Sequence, residues 1–413
     1  MKIFRLISRI IIGLVFVFSG FVKAIDPLGS AYKFHDYFQA FHLSFLEILS
    51  LPLAVLMCTL EFLAGFSLLS GIRQKAGIYV TFLLMLFFTP LTLLLLITNP
   101  VSDCGCFGDA IHLTNLQTFG KNLILMVLVI FLFMNRMKVT GTFKPATEWI
   151  ITGIAATLFI GFSLLNLRYL PIIDFLPYSL GTYIPSKMEI PAGAASDQYS
   201  TTLIYEKNGR TEEFTINNYP AIDTTWKFVR QRSVLIKKGY EPPIHDFSVT
   251  SLDNEDITWR ILGDKGYTLL MISKKLSGSD PKRLLNGFEL GSYCKTIGIS
   301  FYILTSSGSD EIKSFDNNLP FCHTDETALK TMIRSDPGYI LLRNGTITGK
   351  WSWANVPTKE WFKDDLTGKQ LLLLSRRNGL FLVIISFSSA GAVLLLYMYI
   401  ANGKKKRYKS PRS

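Results

Sequence analysis

Residues 76–97 read AGIYVTFLLMLFFTPLTLLLLI, and residues 103–109, a few positions later, read DCGCFGD. A run of about 20 apolar residues is long enough to cross the hydrocarbon core of a bilayer as a helix. The second stretch is a short polar break before the next apolar run. The sequence therefore predicts a membrane span that ends close to two cysteines, Cys104 and Cys106.

Five further segments have the same apolar character. Hydrophobic residues make up 49% of the chain and charged residues 18%, a balance that favours an integral membrane protein over a soluble enzyme. The residues around Lys23 and Ala24 do not form the small-residue cleavage site of a signal peptide, so we expect the first segment to remain uncleaved. The sequence predicts a bundle of about six transmembrane helices, over residues 7–24, 49–69, 76–97, 119–134, 149–167 and 380–401.

The lysines and arginines orient these spans. Cytoplasmic loops are enriched in both residues, and with six spans most of the lysines and arginines near the span ends fall on one side. Arg168, Arg376 and Arg377 lie on the other side against this rule, but long domains cross a membrane largely regardless of charge. We therefore expect the large domain to lie outside the cytoplasm, which is the periplasm if the chain is a bacterial inner membrane protein. The residues that set this orientation are Lys2, Arg5, Arg9, Arg73, Lys75, Arg136, Lys138, Lys144, Lys404, Lys405, Lys406, Arg407, Lys409 and Arg412.

The formal net charge is +12, and much of it is this topology signal and the C-terminal tail. Membrane anchoring explains that charge better than binding to nucleic acid does. The expected partner is therefore the lipid bilayer, with no nucleic acid.

The chain divides into a membrane bundle over residues 1–170, a linker with a small subdomain over 171–243, an outer domain over 244–370, and an anchor with a basic tail over 371–413. In the subdomain, Asn208-Gly209 separates two short apolar strands and favours a hairpin with a type I′ turn. Residues 226–238 are interpreted as a helix.

The outer domain alternates strands and helices, which is typical of an α/β fold. Strands are expected at 246–249, 267–273, 300–305, 339–342 and 346–350, and helices at 281–297 and 325–333. Over residues 244–353 the element order, Asp246-Phe247, and Asp336-Pro337-Gly338 before the Asn344-Gly345 hairpin resemble the thioredoxin-like fold of periplasmic thiol proteins. The resemblance implies a cis peptide bond before Pro337. It also implies a Cys-X-X-Cys motif after the first central strand, but residues 273–279 read SKKLSGS, so this domain is expected to be redox-inactive by itself.

Cys104 and Cys106 have three possible roles. In an oxidising compartment they could exchange disulfides, and a ring closed over one residue is strained and hence labile. They could instead pin the loop as a structural pair, or bind a soft metal with His112, although a metal site needs more ligands than the sequence shows nearby. Asp103 and Asp109 would raise a nearby thiol pKa if they were unscreened.

The first half of the chain also carries a family pattern. Gly13, Phe16, Ser19-Gly20, Lys23 and Asp26-Pro27, then Glu61, Gly65 and Gly71, and finally the loop over residues 103–108 together resemble the DoxX/MauE group of bacterial membrane proteins. The resemblance covers residues 1–136. MauE-type proteins are implicated in disulfide formation or in maturation of periplasmic redox enzymes, and DoxX relatives are linked to quinone-coupled sulfur oxidation. The resemblance thus implies a redox role and raises a quinone as a possible cofactor, although the sequence identifies no cofactor.

Glu61 lies inside the second span, where a carboxylate is costly to bury. It is either a protonatable group near a quinone pocket or proton path, or a neutral carboxyl group bonded to a neighbouring helix. In the first case Glu61→Gln should impair turnover more than folding. For Lys23 and Asp26 at the end of the first span, we expect snorkelling and a helix-ending turn before Pro27. Cys58 is expected to be a small packing residue.

Two more cysteines belong to the outer domain. Cys294 is placed late in a helix and Cys322 in a loop, and they could form a structural bridge or remain as buried thiols. His323 could activate Cys322 as a nucleophile.

Two hypotheses follow. The first is a membrane-embedded thiol–disulfide component in which Cys104, Cys106 and Glu61 carry the chemistry and the outer domain binds an envelope partner. The second is a non-enzymatic scaffold or assembly factor with a structural cysteine loop. Loss of the thioredoxin-type cysteines favours the second, whereas the MauE-like loop favours the first.

Overall fold

The computed structural model of the chain describes residues 2–101, 104–139, 143–221, 223–237, 239–315, 319–363, 366–369 and 373. Five of the helices in these ranges are long and apolar enough to span a membrane. The protein is therefore a multi-pass membrane protein in contact with lipid, while the predicted span over 380–401 lies outside the described residues. The five spanning helices are α1 (Lys2–Ile25), α3 (Ser50–Ser70, preceded by a 3-10 segment over Ser44–Leu49), α4 (Gln74–Thr98), α5 (Asn115–Met134) and α6 (Pro145–Tyr169).

Local sequence signals set several of these helix ends. Thr114 caps the start of α5 through a capping box with Gln117, which satisfies two backbone N–H groups. Helix α3 ends at Gly71, whose φ of 79° is the left-handed conformation that glycine adopts without strain. These signals explain why the predicted spans 49–69, 76–97, 119–134 and 149–167 are confirmed to within a few residues.

Helices α1 and α3 cross in very close contact. A Cβ atom added to Gly20 would lie 2.6 Å from the backbone N of Phe62, and one added to Gly65 would lie 2.6 Å from the backbone N of Val17. Small residues at such crossings allow two membrane helices to approach backbone to backbone. This approach brings the polar side chains of α1 directly against Glu61 on α3.

A helix that the sequence analysis missed, α2 (Pro27–Ala40), follows α1 directly. The Asp26 side chain caps it by accepting a hydrogen bond from the Gly29 N–H at 2.8 Å, and Pro27 occupies the first helical turn. Asp26 therefore begins a helix, whereas the sequence had assigned it only to the end of the preceding one. Helix α2 packs on α3 and α6 at the end of the bundle where α1 ends.

Residues 183–247 form a compact unit of their own. It contains the short helix α7 (Ile184–Met188) and a three-stranded antiparallel sheet in the order β2–β1–β3. The predicted hairpin at Asn208-Gly209 is confirmed, with Lys207 paired to Arg210. The predicted helix over 226–238 is wrong, because β3 pairs along β1 over nearly its whole length. The strands are β1 (Gln198–Lys207), β2 (Arg210–Thr215) and β3 (Lys227–Lys237).

The C-terminal α/β domain is built on a six-stranded mixed sheet in the order β4–β7–β6–β5–β8–β9. Strands β5, β6 and β7 run parallel, while β8 is antiparallel to β5 and β9 is antiparallel to β8. The strands are β4 (Thr250–Ser251), β5 (Tyr267–Ile272), β6 (Ser300–Thr305), β7 (Phe321–His323), β8 (Gly338–Arg343) and β9 (Thr346–Ser352), and the helices are α8 (Thr258–Leu262), α9 (Pro281–Thr296), α10 (Ser309–Lys313) and α11 (Glu326–Met332).

Most expected elements of this domain are confirmed, with two differences. The strand expected at 246–249 is replaced by the two-residue β4, and Cys322 lies in β7 instead of a loop. The core forms where Leu269 and Met271 of β5 pack against Leu284 and Phe288 of α9. The cis peptide bond expected before Pro337 is present. The thioredoxin-like resemblance itself stays a prediction.

Candidate functional site

The two cysteines of the loop between α4 and α5 are in contact. Their Sγ atoms are 3.4 Å apart, both are free thiols, and Cys104 is buried while Cys106 is half-buried. Gly105 between them has a φ of 67°, and a Cβ atom there would lie 3.0 Å from the Cγ of Lys33. A residue with a side chain would therefore be strained and crowded at this position, so glycine is what lets the two thiols meet.

Hydrogen bonds to the loop backbone hold the thiols in place. The Tyr37 hydroxyl of α2 donates to the Cys104 carbonyl at 2.8 Å, and the Ser19 hydroxyl of α1 lies 2.7 Å from the Cys106 carbonyl. Two helices that come before the loop in sequence thus fix both cysteines. Neither Ser19 nor Tyr37 was assigned this contact from the sequence.

Ser19 also connects the loop to a buried ion pair. Its hydroxyl lies 2.7 Å from Glu61 Oε2, and the two Glu61 oxygens lie 2.7 and 3.0 Å from the Lys23 ammonium. The side chains of Lys23 and Glu61 are only 12% and 5% exposed. The snorkelling expected for Lys23 is therefore wrong. Glu61 is paired with a charged partner, which neither alternative for it had included.

The position of Glu61 along α3 explains why Lys23 does not snorkel. Glu61 lies eleven residues after the start of α3 at Ser50, which corresponds to about 16 Å along a helix at 1.5 Å per residue. Lys23, near the end of α1, reaches this same level. The end of α1 and the cysteine loop thus lie alongside the middle of α3, where the Lys23 ammonium is paired with Glu61.

The two thiols are electrostatically unequal. The hydrogen bond between the two thiols, together with the charges of Lys121 and Lys23, lowers the pKa of Cys106 against the effect of burial. The same hydrogen bond and burial raise the pKa of Cys104 well above its ordinary value. One thiol is therefore poised to ionise while the other holds its proton.

From the sequence, Asp103 and Asp109 were expected to raise the pKa of a nearby thiol if their charges were unscreened. Asp103 lies outside the described residues. The Asp109 Oδ2 atom lies 2.6 Å from the Arg334 guanidinium, so its charge is compensated by an arginine of the α/β domain. Asp109 therefore does not act as the unscreened carboxylate that would raise a nearby thiol pKa.

Arg334 attaches the α/β domain to the bundle. Its guanidinium lies 2.7 Å from Asp26 Oδ2 as well as 2.6 Å from Asp109, and its Cζ lies 5.3 Å from the centre of the Tyr32 ring. Burial raises the pKa of Asp26, although Arg334 opposes this. One arginine thus joins the capping residue of α2 to the end of the cysteine loop. Arg334 and Asp26 are 308 positions apart, and no local sequence signal links them.

Residues 273–279, where the thioredoxin-like resemblance implied a Cys-X-X-Cys motif, carry serine hydroxyl groups instead of thiols. The Ser273 and Ser279 hydroxyls are 2.8 Å apart, and Ser279 donates to Asp336 Oδ1 at 2.6 Å, beside the cis bond to Pro337. The neighbouring Lys274 is buried, and its burial lowers the pKa of the ammonium to about 8. This region of the α/β domain carries no thiol.

The remaining cysteines do not join the site. Burial raises the pKa of both Cys294 and Cys322 to about 12, and both are free. His323 follows Cys322 in a strand, where consecutive side chains point to opposite faces, and its Nε2 lies 3.4 Å from the Ser309 hydroxyl. The activation of Cys322 by His323 is therefore wrong. Cys58 is buried in α3, 3.9 Å from the Ser163 hydroxyl of α6, as a packing residue.

The metal alternative has no support within the described ranges, where no group of three or more His, Cys, Asp and Glu side chains is placed to hold an ion.

Two family models match separate parts of the chain. Residues 1–135 match the family described as methylamine utilisation protein MauE, and residues 199–238 match a family described as a domain of unknown function, DUF8463. Protein TlpB of Flavobacterium psychrophilum is 28% identical over 128 residues, which are 30% of this chain and 35% of TlpB. The chain thus matches about a third of that relative's length. No solved structure matches. The membrane half of this protein, with its cysteine loop, is MauE-like.

Proposed function

We propose that this protein is a membrane-embedded thiol–disulfide component that supports the maturation of envelope proteins. Cys104 and Cys106 exchange with thiols or disulfides of a partner protein. The observation that carries the proposal is the 3.4 Å contact between two thiols of unequal acidity in a loop held by α1 and α2. The similarity of residues 1–135 to MauE supports the same class of function.

The chemistry needs only the two thiols and the partner. A thiolate of the loop attacks one sulfur of a partner disulfide, the partner's S–S bond breaks, and its second sulfur leaves as a thiolate that takes up a proton. The other loop thiol then loses its proton and attacks the mixed disulfide. The loop is left as a disulfide and the partner as a dithiol, with two electrons transferred. Run in reverse, the same steps oxidise a partner.

Placement of the loop supports a role outside the cytoplasm. The cysteine loop and the α/β domain lie at the same end of the bundle, because Arg334 contacts Asp109 and Asp26. Arg73 and Arg136 lie at the opposite end, in the short connections that the positive-inside rule places in the cytoplasm. The proposal therefore puts the loop and the α/β domain in the periplasm of a bacterial inner membrane, where disulfides persist.

The residues around Glu61 do not fit a quinone held by its carboxylate. Both Glu61 oxygens are taken by Lys23 and Ser19, and the neighbouring rings of Phe62 and Phe159 are stacked with their centres 4.0 Å apart. The proposal accordingly contains no quinone step. Glu61 acts instead as a positioning residue that holds the Lys23 ammonium and, through Ser19, the loop backbone.

A second candidate function is a non-enzymatic scaffold. Two observations favour it: the hydroxyls of Ser273 and Ser279 where a thiol pair was implied, and the buried Arg334 contacts that fix the α/β domain. In this case the cysteine loop would only stabilise the bundle.

Trapping in cells separates the two candidates. Single variants Cys104→Ser and Cys106→Ser remove one of the two thiols, so a mixed disulfide with a partner cannot be resolved within the loop. We expect adducts that reductant releases in at least one single variant and none in the double variant. The scaffold predicts lower protein abundance in these variants, no adduct in any of them, and normal activity per molecule in the double variant.

A further inference from the structure

Lys121 is a half-buried cation beside the cysteine loop. It lies in the second turn of α5, and its Nζ is 4.4 Å from the centre of the Phe107 ring, the residue next to Cys106. Among the residues that the structure describes, no ion pair involves Lys121. A lysine in a membrane-spanning helix usually pairs with another group or marks a functional site.

Of the two lysines whose charge acts on Cys106, Lys23 is already compensated. Lys23 lies 2.7 Å from Glu61, so a thiolate nearby experiences the charge of Lys23 largely cancelled by that of Glu61. The groups whose charge acts on Cys106 are Cys104 of its own loop, Lys121 of α5, Lys23 of α1 and Glu61 of α3. Lys121 is thus the uncompensated positive charge of this set.

The loop also presents its two thiols unequally. Cys104 is buried, and its carbonyl is held by Tyr37 of α2. Cys106 is half-buried, and its Sγ lies 3.4 Å from the Cys104 sulfur that would resolve a mixed disulfide. The more exposed of the two cysteines is therefore also the one on which the charges of Lys121 and Lys23 act.

Building on the proposed function, we infer that Cys106 is the thiol that exchanges with the partner, that Cys104 is the resolving thiol, and that Lys121 is the positioning residue that stabilises the Cys106 thiolate. The Cys106 thiolate attacks one sulfur of a partner disulfide, whose S–S bond breaks, so that its other sulfur leaves as a thiolate and takes up a proton. The Cys104 thiol then gives up its proton and attacks the Cys106 sulfur, which releases the partner sulfur held in the mixed disulfide and leaves a Cys104–Cys106 disulfide. An opposite charge next to a thiolate lowers the thiol pKa, and a thiolate fraction present at neutral pH speeds the first step.

The test is the pH profile of alkylation of each thiol in the full chain in detergent, with iodoacetamide as the probe and peptide mass spectrometry to separate the cysteines. We expect Cys106 to titrate well below the ordinary thiol value and Cys104 above it. Lys121→Met should raise the Cys106 midpoint by about one pH unit, which means alkylation slower by about fivefold at the wild-type midpoint and by about tenfold well below it. Lys121→Arg should keep the wild-type midpoint, and Lys138→Met, in the 3-10 segment Arg136–Lys138 beyond the other end of α5, serves as the control.

Two results would overturn the inference: a Cys106 midpoint that is unchanged in Lys121→Met, or a Cys104 that alkylates at lower pH than Cys106. Lys121→Gln provides the same measurement if Lys121→Met is not stably folded. Alkylation requires no partner, so a midpoint that depends on Lys121 together with no trapped adduct would contradict the proposed function alone. Adducts trapped in Cys106→Ser but not in Cys104→Ser would support the proposed function and contradict the assignment of Cys106.

Discussion

Breaking the Lys23–Glu61 ion pair should destabilise the bundle strongly. The ammonium lies 2.7 and 3.0 Å from the two carboxylate oxygens, and neither side chain is more than 12% exposed. Removing one partner of such a buried pair costs about 3–5 kcal/mol, because the remaining charge is left without compensation. We therefore expect Glu61→Gln and Lys23→Met each to lower the free energy of unfolding by about that amount, a factor of roughly 10² to 5 × 10³ in the folding equilibrium.

The double variant gives the sharper result. Lys23→Met with Glu61→Gln leaves no unpaired charge, so it should recover most of the lost stability, with a coupling energy of about 3 kcal/mol. The assay is a denaturant titration in mixed micelles, followed by the loss of the folded fraction. Glu255→Gln is the matched control, because the Arg260–Glu255 pair is also short, at 2.6 Å, but about 60% exposed on both sides. That control should change stability by less than about 1 kcal/mol.

Additive losses in the double variant would refute this reasoning, as would a Glu61→Gln protein as stable as the wild type. The structure also changes the expectation drawn from the sequence alone, in which Glu61→Gln was to affect turnover more than folding. Because Lys23 depends on Glu61 for its countercharge, Glu61→Gln should lower the stability of the folded protein more than it directly affects turnover.

Three further substitutions test other parts of the structure. Gly20→Ala should prevent the close approach of α1 and α3, because its Cβ would meet backbone atoms at 2.6 Å, whereas Gly161→Ala meets nothing within 4 Å and should leave thermal stability in detergent unchanged or slightly higher. Arg334→Gln leaves two carboxylates unpaired at the junction of bundle and α/β domain, so hydrogen exchange should increase in α2 and stay slow in β5. Lys274→Met should stabilise the protein at pH 7 by at most about 3 kcal/mol. Burial lowers the pKa of Lys274 from 10.5 to about 8. The folded protein therefore pays the full free-energy cost of a charged Lys274 below pH 8, and this cost disappears as the pH rises toward 10.5. Melting curves of Lys274→Met and wild type should show a stability gain at pH 7 and little or none at pH 10.

The parts of the fold that depend on local sequence could be predicted. Apolar length defines the first five spans, and Asn208-Gly209 with its flanking strands gives the hairpin. The alternation of strands and helices from residue 267 onward also corresponds to the observed sheet. Each of these signals is contained within about 20 neighbouring residues.

The errors occur where a distant partner decides the conformation. Residues 226–238 have no clear periodicity, and it is pairing with β1 that makes Lys227–Lys237 a strand. Helix α2 is short and only weakly apolar, and it is stabilised by packing on α3 at the end of the bundle.

The candidate site was predicted in part for the same reason. Cys104, Cys106 and Glu61 could be named because cysteines in a polar break and a carboxylate in an apolar helix are conspicuous in a sequence. Lys23 was noticed, but its partner is 38 positions away on another helix, and Arg334 reaches Asp26 across 308 positions. Such contacts depend on the packing of the helices, which no local pattern specifies.

The redox state of Cys104 and Cys106 in growing cells tests the central claim most directly. Cells are quenched in acid, free thiols are alkylated with a mass tag, and peptides carrying the loop are separated by mass. If the loop exchanges disulfides, both dithiol and disulfide forms should be present, and their ratio should change when reductant or oxidant is added to the medium. A loop that stays entirely dithiol, or entirely disulfide, under both treatments would contradict the account.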